Sequence, residues 1–384
     1  MRIVVSAWPA LGHLLPMLPL ARAAQRAGHQ VLISSGSDLT GLIERRGLTA
    51  QAAGPTLAEA YAAAATQVGA PLGELSQQDE MAASATFLFG AAAVRRAREL
   101  VPIFTASRPD LVVHDALELG SPCAAEMLGI RHVTHSYGPV VPGSEIFAAV
   151  LGGVLADAGL PDPIPAVLAA PYLDVCPPGL QPAGIAPWVH GMPIRPAPGE
   201  VEPGDSLPAG FGGLPHPATV YLTLGTITNQ RPDVFRAVLE GCAMLEVNVV
   251  TSTGPGLDPA VLGPQPANVL VLPYISQALV LPHCSAVISH AGAGTMLGAL
   301  CYGLPQLCLP QGTDQPYNAA ALAGTGAGIV LDSGTLRPDA VALTLRRLLD
   351  EPHYRDAAGR LRDQIDGMPE PSSALETVTA APAG

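Results

Sequence analysis

The chain has 384 residues, of which 48% are hydrophobic, 13% charged and 4% aromatic, and its formal net charge at pH 7 is −13. This composition excludes a disordered chain, which needs low hydrophobicity and high charge, and the negative charge disfavours binding to nucleic acid or to an anionic membrane. No apolar run reaches the roughly 18 residues of a membrane span, and all 19 basic residues are arginines, which excludes a P-loop lysine and a Schiff-base lysine.

The first half of the chain alternates predicted strands and helices. Its N-terminal stretch is interrupted by Pro9, Gly12, His13 and Pro16 and has no clear cleavage site, so it predicts a first strand rather than a signal peptide. Short apolar runs predict buried strands at 2–7, 31–35, 110–114 and 131–136. Helices are predicted at about 14–27, in the segment 36–47 with its end at Gly47, at about 82–107, and after Asp115 as far as Gly129, with a loop at 8–13 before the first of them.

A proline- and glycine-rich segment, 177–217, separates this pattern from a second alternation. Strands are predicted at 219–224, 247–253, 268–272, 286–290, 306–310 and 328–331, and helices at about 337–350, 352–366 and 372–381. Buried strands that alternate with helices indicate parallel, doubly wound sheets. The predicted fold class is therefore α/β, with two Rossmann-like domains facing across a cleft. We expect domains at 1–195 and 218–368, a linker at 196–217 and a C-terminal tail at 369–384.

The sharpest local motif is His290-Ala-Gly-Ala-Gly-Thr295, which follows a predicted strand and opens a helix. Glycines let backbone N–H groups approach an anion, and a helix N-terminus adds partial positive charge. With the His290 ring and the Thr295 hydroxyl as further donors, Gly292 and Gly294 predict a diphosphate site. Two alternatives stay open: a tight turn that uses glycine only for packing, and a dinucleotide site with Gly298 as the third glycine and Asp314 as the ribose carboxylate.

His13 follows the first strand, so its side chain is expected at the carboxyl edge of the sheet, where ligands bind. A histidine there is a candidate general base, and Asp115, at the end of another strand of the same sheet, is placed to fix its tautomer. The alternative is a histidine without a catalytic role, either a helix cap or a surface residue. His114, His132 and His283 are interpreted as structural, and so is His135, although it ends a strand on the same face.

A third polar cluster is Gln311-Gly-Thr-Asp314-Gln315, at the end of a predicted strand. The Asp314 carboxylate and the Gln315 amide suit hydrogen bonds to sugar hydroxyls, whereas Asp314 by itself is also a good helix N-cap. The chain has no DxD motif, no CxxC pair and no histidine at zinc-finger spacing, so we expect no metal and no cofactor. Its six cysteines are interpreted as buried thiols of a reducing, cytoplasmic compartment.

Together these motifs resemble the family 1 glycosyltransferases with the GT-B fold, and most of all the actinomycete enzymes that glycosylate antibiotics of the calicheamicin and macrolide types. The resemblance runs nearly end to end. The segments that carry it are GHLLPMLPLARAAQRAGHQV at the start, LTLGT at 222–226, YISQALVLPHCSAVISHAGAGT at 274–295 and GLPQLCLPQGTDQPYNAAALAGTGAG at 303–328.

The resemblance implies a role for each motif. His13 deprotonates the acceptor hydroxyl and Asp115 supports it; Thr226 and the turn at 290–295 hold the diphosphate; Tyr274, Ile275 and Gln277 hold the base; Asp314 and Gln315 hold the sugar. The N-terminal domain takes the acceptor, and the C-terminal tail packs back on it. Two departures are visible: Tyr274 stands where base-stacking relatives carry Trp, and Gly298 stands where UDP-using relatives carry a ribose-binding Glu.

The sequence thus predicts an inverting, metal-independent glycosyltransferase that moves a (deoxy)sugar from a dTDP-sugar, or a UDP-sugar, to a small natural-product acceptor in antibiotic biosynthesis. The alternatives are a nicotinamide-dependent oxidoreductase and a non-catalytic sugar-nucleotide-binding helper. No nucleic-acid partner and no membrane span are expected, and the oligomeric state stays open, with a homodimer as one option. Four aromatic residues are candidates either for the core or for an apolar acceptor pocket: Trp8, Phe87, Phe89 and Trp188.

Overall fold

The computed structural model describes residues 1–141, 144–182, 191–199, 201, 204–227 and 229–380. The chain forms two compact units, one comprising Met1–Val175, Ala183–Arg195 and Pro369–Gly384, and the other Cys176–Pro182 and Pro196–Met368. These limits differ from the expected ones in two ways. Residues 176–182 belong to the second unit, because Gly179 N donates to Gln364 Oε1 at 2.8 Å. Residues 196–217 also belong to it rather than forming a separate linker.

The first unit is built on a seven-stranded sheet in which every adjacent pair of strands is parallel. The strands are β1 (Arg2–Ser6), β2 (Gln30–Ser35), β3 (Thr49–Ala52), β4 (Leu111–Asp115), β5 (His132–His135), β6 (Tyr172–Asp174) and β7 (Gly191–Pro193), in the order β3-β2-β1-β4-β5-β6-β7. The N-terminal stretch is therefore an inner strand of the sheet. Its residues 3–5 are buried, as a strand covered on both faces requires.

The helices of the first unit are α1 (Leu11–Leu14), α2 (Leu18–Arg26), α3 (Ser37–Arg45), α4 (Leu57–Val68), α5 (Gln77–Ala83), α6 (Ala91–Ser107), α7 (Gly120–Leu128), α8 (Ser144–Asp157) and α9 (Ile164–Ala169). The predicted loop at 8–13 is wrong at its end, because α1 already begins at Leu11 and contains His13. A 3-10 turn, Leu15–Met17, separates α1 from α2. Pro16 and Pro19 lack the N–H groups that would continue α-helical bonding there.

The predicted helix at 82–107 is part of a longer helical segment. It starts with α5, continues through a π-helical stretch at Ser84–Gly90 and ends with α6. A π-helical stretch is rare and is frequently found at functional sites. In the first unit, three short strands, β3, β6 and β7, and helices α4, α8 and α9 were not predicted.

The second unit contains a six-stranded parallel sheet whose strands are connected through helices along the chain. Its strands are β8 (Ala218–Thr223), β9 (Val247–Ser252), β10 (Val269–Leu272), β11 (Ala286–Ser289), β12 (Gln306–Cys308) and β13 (Gly328–Val330), in the order β10-β9-β8-β11-β12-β13. Its helices are α10 (Pro232–Cys242), α11 (Gln277–Val280), α12 (Ala293–Leu300), α13 (Gln315–Gly324), α14 (Pro338–Asp350) and α15 (Pro352–Asp366). The strands β8, β11 and β12 are neighbours, so the loops that follow them meet at one edge.

The C-terminal helix α16 (Pro371–Ala380) belongs to the first unit, where it packs against α2. The Arg131 guanidinium donates to Val378 O at 2.8 Å and fixes the end of the tail. Ala374, Leu375 and Val378 form the buried side of this helix. Within the described part of the chain, no helix combines the length and the apolar character that crossing a bilayer requires.

Candidate active site

His13 and Asp115 contact each other at the carboxyl end of the first sheet. His13 lies in α1, directly after β1, and Asp115 is the last residue of β4, the neighbour of β1. The His13 Nδ1 atom lies 2.6 Å from Oδ2 of Asp115, with 14% of the His13 side chain and 1% of the Asp115 side chain exposed. When Nδ1–H donates to the carboxylate, a neutral imidazole carries its basic lone pair on Nε2, as a general base needs.

The electrostatic state of Asp115 suits this partnership. Burial by itself would raise the pKa of its carboxyl group. The charge and hydrogen bond of His13, together with the N–H groups of Leu117 and Trp8, outweigh burial and hold that pKa below its ordinary value. Asp115 is therefore ionised at neutral pH, where it fixes the His13 tautomer and favours the imidazolium that forms when His13 takes up a proton.

Two further residues surround this pair. The ring of Tyr137 lies 4.4 Å from the ring of His13, centroid to centroid, and restricts its rotation; an aromatic residue shortly after a strand is the only sequence signal for this contact. His135 pairs in register with Asp115. Its Nδ1 donates to Ser136 O at 2.6 Å, and its Nε2 has no hydrogen-bond partner among the described residues. Burial lowers the pKa of His135 to about 4, so its ring is neutral.

The other histidines singled out in the sequence have structural partners. His114 Nδ1 donates to Asp115 O at 3.0 Å, and its Nε2 lies 3.2 Å from the Thr134 hydroxyl. His132 lies 3.3 Å from a Glu126 oxygen. His283 packs its ring against Phe211. None of these contacts involves His13.

The loop that follows Asp115 contains one member of a buried ion pair. Nε of Arg96, in α6, lies 3.0 Å from Oε1 of Glu118, and both side chains are fully buried. The guanidinium also donates to Ala53 O, Ser6 Oγ and Ser34 O. Glu118 accepts from the N–H groups of Gly120 and Ser121 at the start of α7 and from the hydroxyls of Ser6 and Ser121. Sequence reasoning missed this pair, because nothing distinguishes Arg96 from the exposed arginines beside it.

In the second unit, His290 and the turn after β11 form a closely packed structure. A Cβ atom on Gly292 would lie 2.3 Å from His290 Nε2, and one on Gly225 would lie 2.5 Å from the same ring. These glycines therefore make room for the histidine, and the packing interpretation of the motif holds for Gly292. The N-terminus of α12 follows directly, with Gly294 in its first turn and nothing within 4 Å of its Cβ position. Burial lowers the pKa of His290 to about 4, against the opposing charge of Asp314.

The residues assigned to the base and the diphosphate fall into two groups. Gln277 Nε2 donates to the Thr295 hydroxyl at 3.0 Å, which connects α11 to the first turn of α12. Ile275 is buried. Tyr274, by contrast, is 64% exposed, and Thr226 is exposed in the loop after β8. Exposed positions at the carboxyl ends of strands are where an open α/β sheet presents its ligand-binding groups.

Asp314 occupies the N-cap position of α13, but its carboxylate accepts no hydrogen bond from the helix backbone. Oδ2 accepts from Asn318 Nδ2 at 2.7 Å and Oδ1 from the Thr313 hydroxyl at 3.0 Å. The helix-cap alternative for this side chain is therefore wrong. Gln315 is turned towards its own loop, where its Oε1 accepts from Gln311 N at 2.8 Å. Arg231, which the sequence reasoning did not single out, donates to Gln311 Oε1 at 2.9 Å and brings a cation to this loop.

Among the described residues, no group of three or more His, Cys, Asp or Glu side chains is arranged to hold a metal ion. The six cysteines are free, and all but Cys301 are buried. Trp8 lies in the core, with Phe87 and Phe89 packed partly buried against the same cluster. Trp188 lies outside the described residues.

Comparison with known proteins adds to this geometry. Residues 22–191 match the family model for the N-terminal domain, and residues 236–380 that for the C-terminal domain, of erythromycin biosynthesis protein CIII-like proteins. The chain is 32% identical to the L-demethylnoviosyl transferase of Streptomyces niveus over 99% of this chain and 98% of that protein. It is similar to the solved glycosyltransferase VinC in complex with dTDP, at 28% identity, a TM-score of 0.78 and coverage of 99% and 98%. It is also similar to the spinosyn rhamnosyltransferase SpnG complexed with spinosyn aglycone, at 26% identity, a TM-score of 0.80 and coverage of 99% and 100%. These similarities do not support the oxidoreductase alternative.

Proposed function

This chain belongs to the erythromycin biosynthesis protein CIII-like family of glycosyltransferases, and from that premise we propose that it moves a deoxysugar from dTDP to a hydroxyl of a natural product with inversion at the anomeric carbon. The class, a GT-B glycosyltransferase that transfers from a sugar nucleotide to a natural-product acceptor, follows from the family. The identity of the nucleotide, the stereochemistry and the residue roles are the proposed part. The hydrogen bond between His13 and Asp115 carries the proposal, because a protein that only bound a sugar nucleotide would need neither residue.

The chemistry at the acceptor follows from the tautomer of His13. Nε2 takes the proton of the acceptor hydroxyl as its oxygen attacks the anomeric carbon, and the bond from that carbon to the nucleotide's phosphate oxygen breaks. The positive charge that appears on the ring is balanced by the ionised, fully buried Asp115 at 2.6 Å. Attack from the face opposite the leaving group inverts the anomeric centre.

The leaving diphosphate requires groups that stabilise negative charge. The N-terminus of α12 presents backbone N–H groups and the positive end of the helix dipole. Thr226, in the loop after β8, and Thr295, in the first turn of α12, supply hydroxyl groups at the same edge of the sheet. We assign the Asp314 carboxylate to accept hydrogen bonds from the sugar. The solved complex of the similar VinC with dTDP supports dTDP as the leaving nucleotide.

The test of the proposed function combines binding and turnover. We expect the wild-type protein to bind dTDP in calorimetry, with no comparable binding of NAD, and to transfer sugar from a dTDP-deoxysugar to a hydroxylated natural-product acceptor. Binding of dTDP without transfer to any acceptor of a broad panel would favour the non-catalytic helper. Binding of NAD in place of dTDP would overturn the proposal.

The preference for dTDP over UDP is the first prediction and depends on Gly298. The family resemblance implies that a Glu at this position binds the ribose in UDP-using members, so its absence removes a charge-assisted hydrogen bond of about 1.5–3 kcal/mol. A deoxyribose has no 2′-hydroxyl and loses less. We expect wild type to bind dTDP more tightly than UDP, and Gly298→Glu to shift the preference towards UDP, as measured by calorimetry with both nucleotides.

The structure supplies the control for this experiment. A Cβ atom at position 298 would lie 3.3 Å from Gln277 Oε1 and 3.5 Å from Pro198 Cα, so any side chain there is sterically tight. Gly298→Ala adds only this Cβ atom, and its effect on dTDP affinity measures the packing cost by itself. If wild type binds UDP more tightly than dTDP, the assignment is wrong, whatever the variants do.

Metal independence is the second prediction. The N-terminus of α12 supplies partial positive charge to the loops of the second sheet, and the Arg231 guanidinium, which is ion-paired with Asp233 at 2.8 Å, lies against one of these loops. Neither group needs a metal ion to act. We expect the initial rate of transfer to be the same in excess EDTA as in buffer with added Mg²⁺. A rate that falls with EDTA and returns with Mg²⁺ or Mn²⁺ would contradict this proposal.

We also propose a cytoplasmic location, because the six free cysteines suit a reducing compartment. The net charge of −13 supports the absence of a nucleic-acid partner. Whether the chain forms a homodimer is decided by its mass in light scattering.

A further inference from the structure

Asn318 connects the two loops assigned to the donor. It lies in the first turn of α13 and is 1% exposed. Its Nδ2 donates to Asp314 Oδ2 at 2.7 Å and to Ala291 O at 3.1 Å. A single amide group therefore joins the turn after β11 to the loop after β12.

The turn after β11 depends on such a contact because of its backbone conformation. Ala291 has a φ of +62°, a left-handed conformation that residues with a Cβ atom seldom adopt. Such a conformation persists only where the surroundings hold it. Two hydrogen bonds do so here: Ala291 N donates to Ser289 Oγ at 3.1 Å, and Ala291 O accepts from Asn318. Ala291 stands between His290 and Gly292, so its conformation sets the direction of the chain into α12.

The carboxylate of Asp314 depends on the same amide. Because it accepts no bond from the helix backbone, its orientation is set by Asn318 and by the hydroxyl of Thr313. Thr313 is the neighbour of Asp314 in the same loop and is itself in a left-handed conformation, with a φ of +56°. Its hydroxyl therefore does not fix the Asp314 carboxylate to any other part of the fold. Loss of the Asn318 amide would release the carboxylate on one side and the turn on the other.

We propose that Asn318 is a positioning residue that holds the diphosphate-binding turn and the sugar-binding carboxylate in one geometry, and so couples the binding of the two halves of the donor. The proposal rests on the proposed function for the assignment of those halves. Asn318 acts through Ala291 and Asp314 and has no contact with reacting atoms in this scheme.

The test separates the two halves by using two ligands. We expect Asn318→Ala to bind dTDP about 10-fold more weakly than wild type in calorimetry, because the turn is no longer held, and to lose about a further 10-fold in kcat/KM for the dTDP-sugar, because the carboxylate is also released. Ala291→Gly added to Asn318→Ala should restore most of the dTDP affinity, since glycine adopts positive φ without strain. It should not restore the loss that depends on the sugar.

A matched control tests whether the effect is merely structural. Asn248 is a buried asparagine of the same unit, near the start of β9, whose Nδ2 donates to His216 O at 2.7 Å and to Thr219 Oγ1 at 3.1 Å. Asn248→Ala loses these two donated hydrogen bonds, and a third that Asn248 Oδ1 accepts from His216 N at 3.0 Å, at the opposite end of the sheet. We expect it to lower Tm as Asn318→Ala does while keeping dTDP affinity within about two-fold of wild type.

The outcomes are distinct. If Asn318→Ala keeps both dTDP affinity and kcat/KM within two-fold of wild type, or if Ala291→Gly recovers no dTDP affinity, the coupling role is wrong. Should Asn318→Ala fail to fold, Asn318→Ser, whose hydroxyl is too short to reach both partners, takes its place in the same comparison. If wild type binds none of dTDP, UDP and GDP, the proposed function itself fails; normal wild-type binding with an unaltered Asn318→Ala overturns only the role of Asn318.

Discussion

Replacing His13 with alanine is expected to lower the rate of transfer by about 10²–10⁴-fold, the usual cost of removing a general base, while dTDP binds as it does to wild type. The reason is the division of roles between the two sheets: His13 lies after β1 of the first, and the residues assigned to the nucleotide lie in loops of the second. The measurement is kcat with saturating donor and a hydroxyl acceptor, together with the dTDP dissociation constant of the same preparation.

Two variants accompany this experiment. Asp115→Asn should give a smaller loss, because Asp115 orients and stabilises the base without exchanging a proton with the acceptor. His29→Ala removes a histidine ring of the same unit that contacts the N-terminal amino group at 3.1 Å, away from His13, and the variant should turn over normally. Near-wild-type turnover by His13→Ala would show that another group takes the proton.

The strands that carry the site could be predicted because they are short, apolar runs buried on both faces. β1, β4 and β11 read as RIVVS, LVVHD and AVIS, and their shortness and β-branched residues favour a strand over a buried helix segment. The opposite holds for β3, which reads as TAQA, and for β6 and β7, with three residues each. Pairing in the sheet, rather than any local preference, makes these segments strands.

The candidate site was predictable as far as it depends on strand ends. Polar residues after buried parallel strands meet at one edge of a sheet, and this argument placed Asp115 beside His13. It does not give side-chain direction. That Asp314 turns away from its helix backbone depends on Asn318, and the contact of Asn318 with Ala291 spans 27 residues. Nothing local in the sequence predicts such a contact.

Arg96 is the clearest case of a residue whose role depends on tertiary structure. Its neighbour Arg95 lies on the outer side of α6, where it pairs with Glu99 and Glu59, and 52% of its side chain is exposed. Arg96, one position on, points inward and is fully buried. A Cβ atom on Gly54 would lie 2.3 Å from the Arg96 Cγ atom, so the chain leaves room for this side chain by using glycine.

Arg96→Met is therefore expected to destabilise the protein by about 3–5 kcal/mol, the cost of leaving one buried charge without its partner. Methionine fills much of the same space but cannot neutralise Glu118 or satisfy Ala53 O. Arg95→Met is the matched control, because an exposed ion pair contributes only about 0–1 kcal/mol. The measurement is the free energy of unfolding of both variants from urea titrations, with Tm as a second readout.

The double variant Arg96→Met/Glu118→Gln decides the cause of that loss. If the uncompensated carboxylate is responsible, removing its charge should recover part of the stability, since the remaining amide still accepts from the N–H groups at the start of α7. Because Glu118 N donates to Asp115 O at 2.9 Å, the same variants should also lower kcat at temperatures where they are folded, with the double variant closer to wild type. An Arg96→Met variant as stable as Arg95→Met would mean that the buried pair contributes no more than a surface one, and the support it gives to the Asp115 loop would have to come from the packing of α6 against α7 instead.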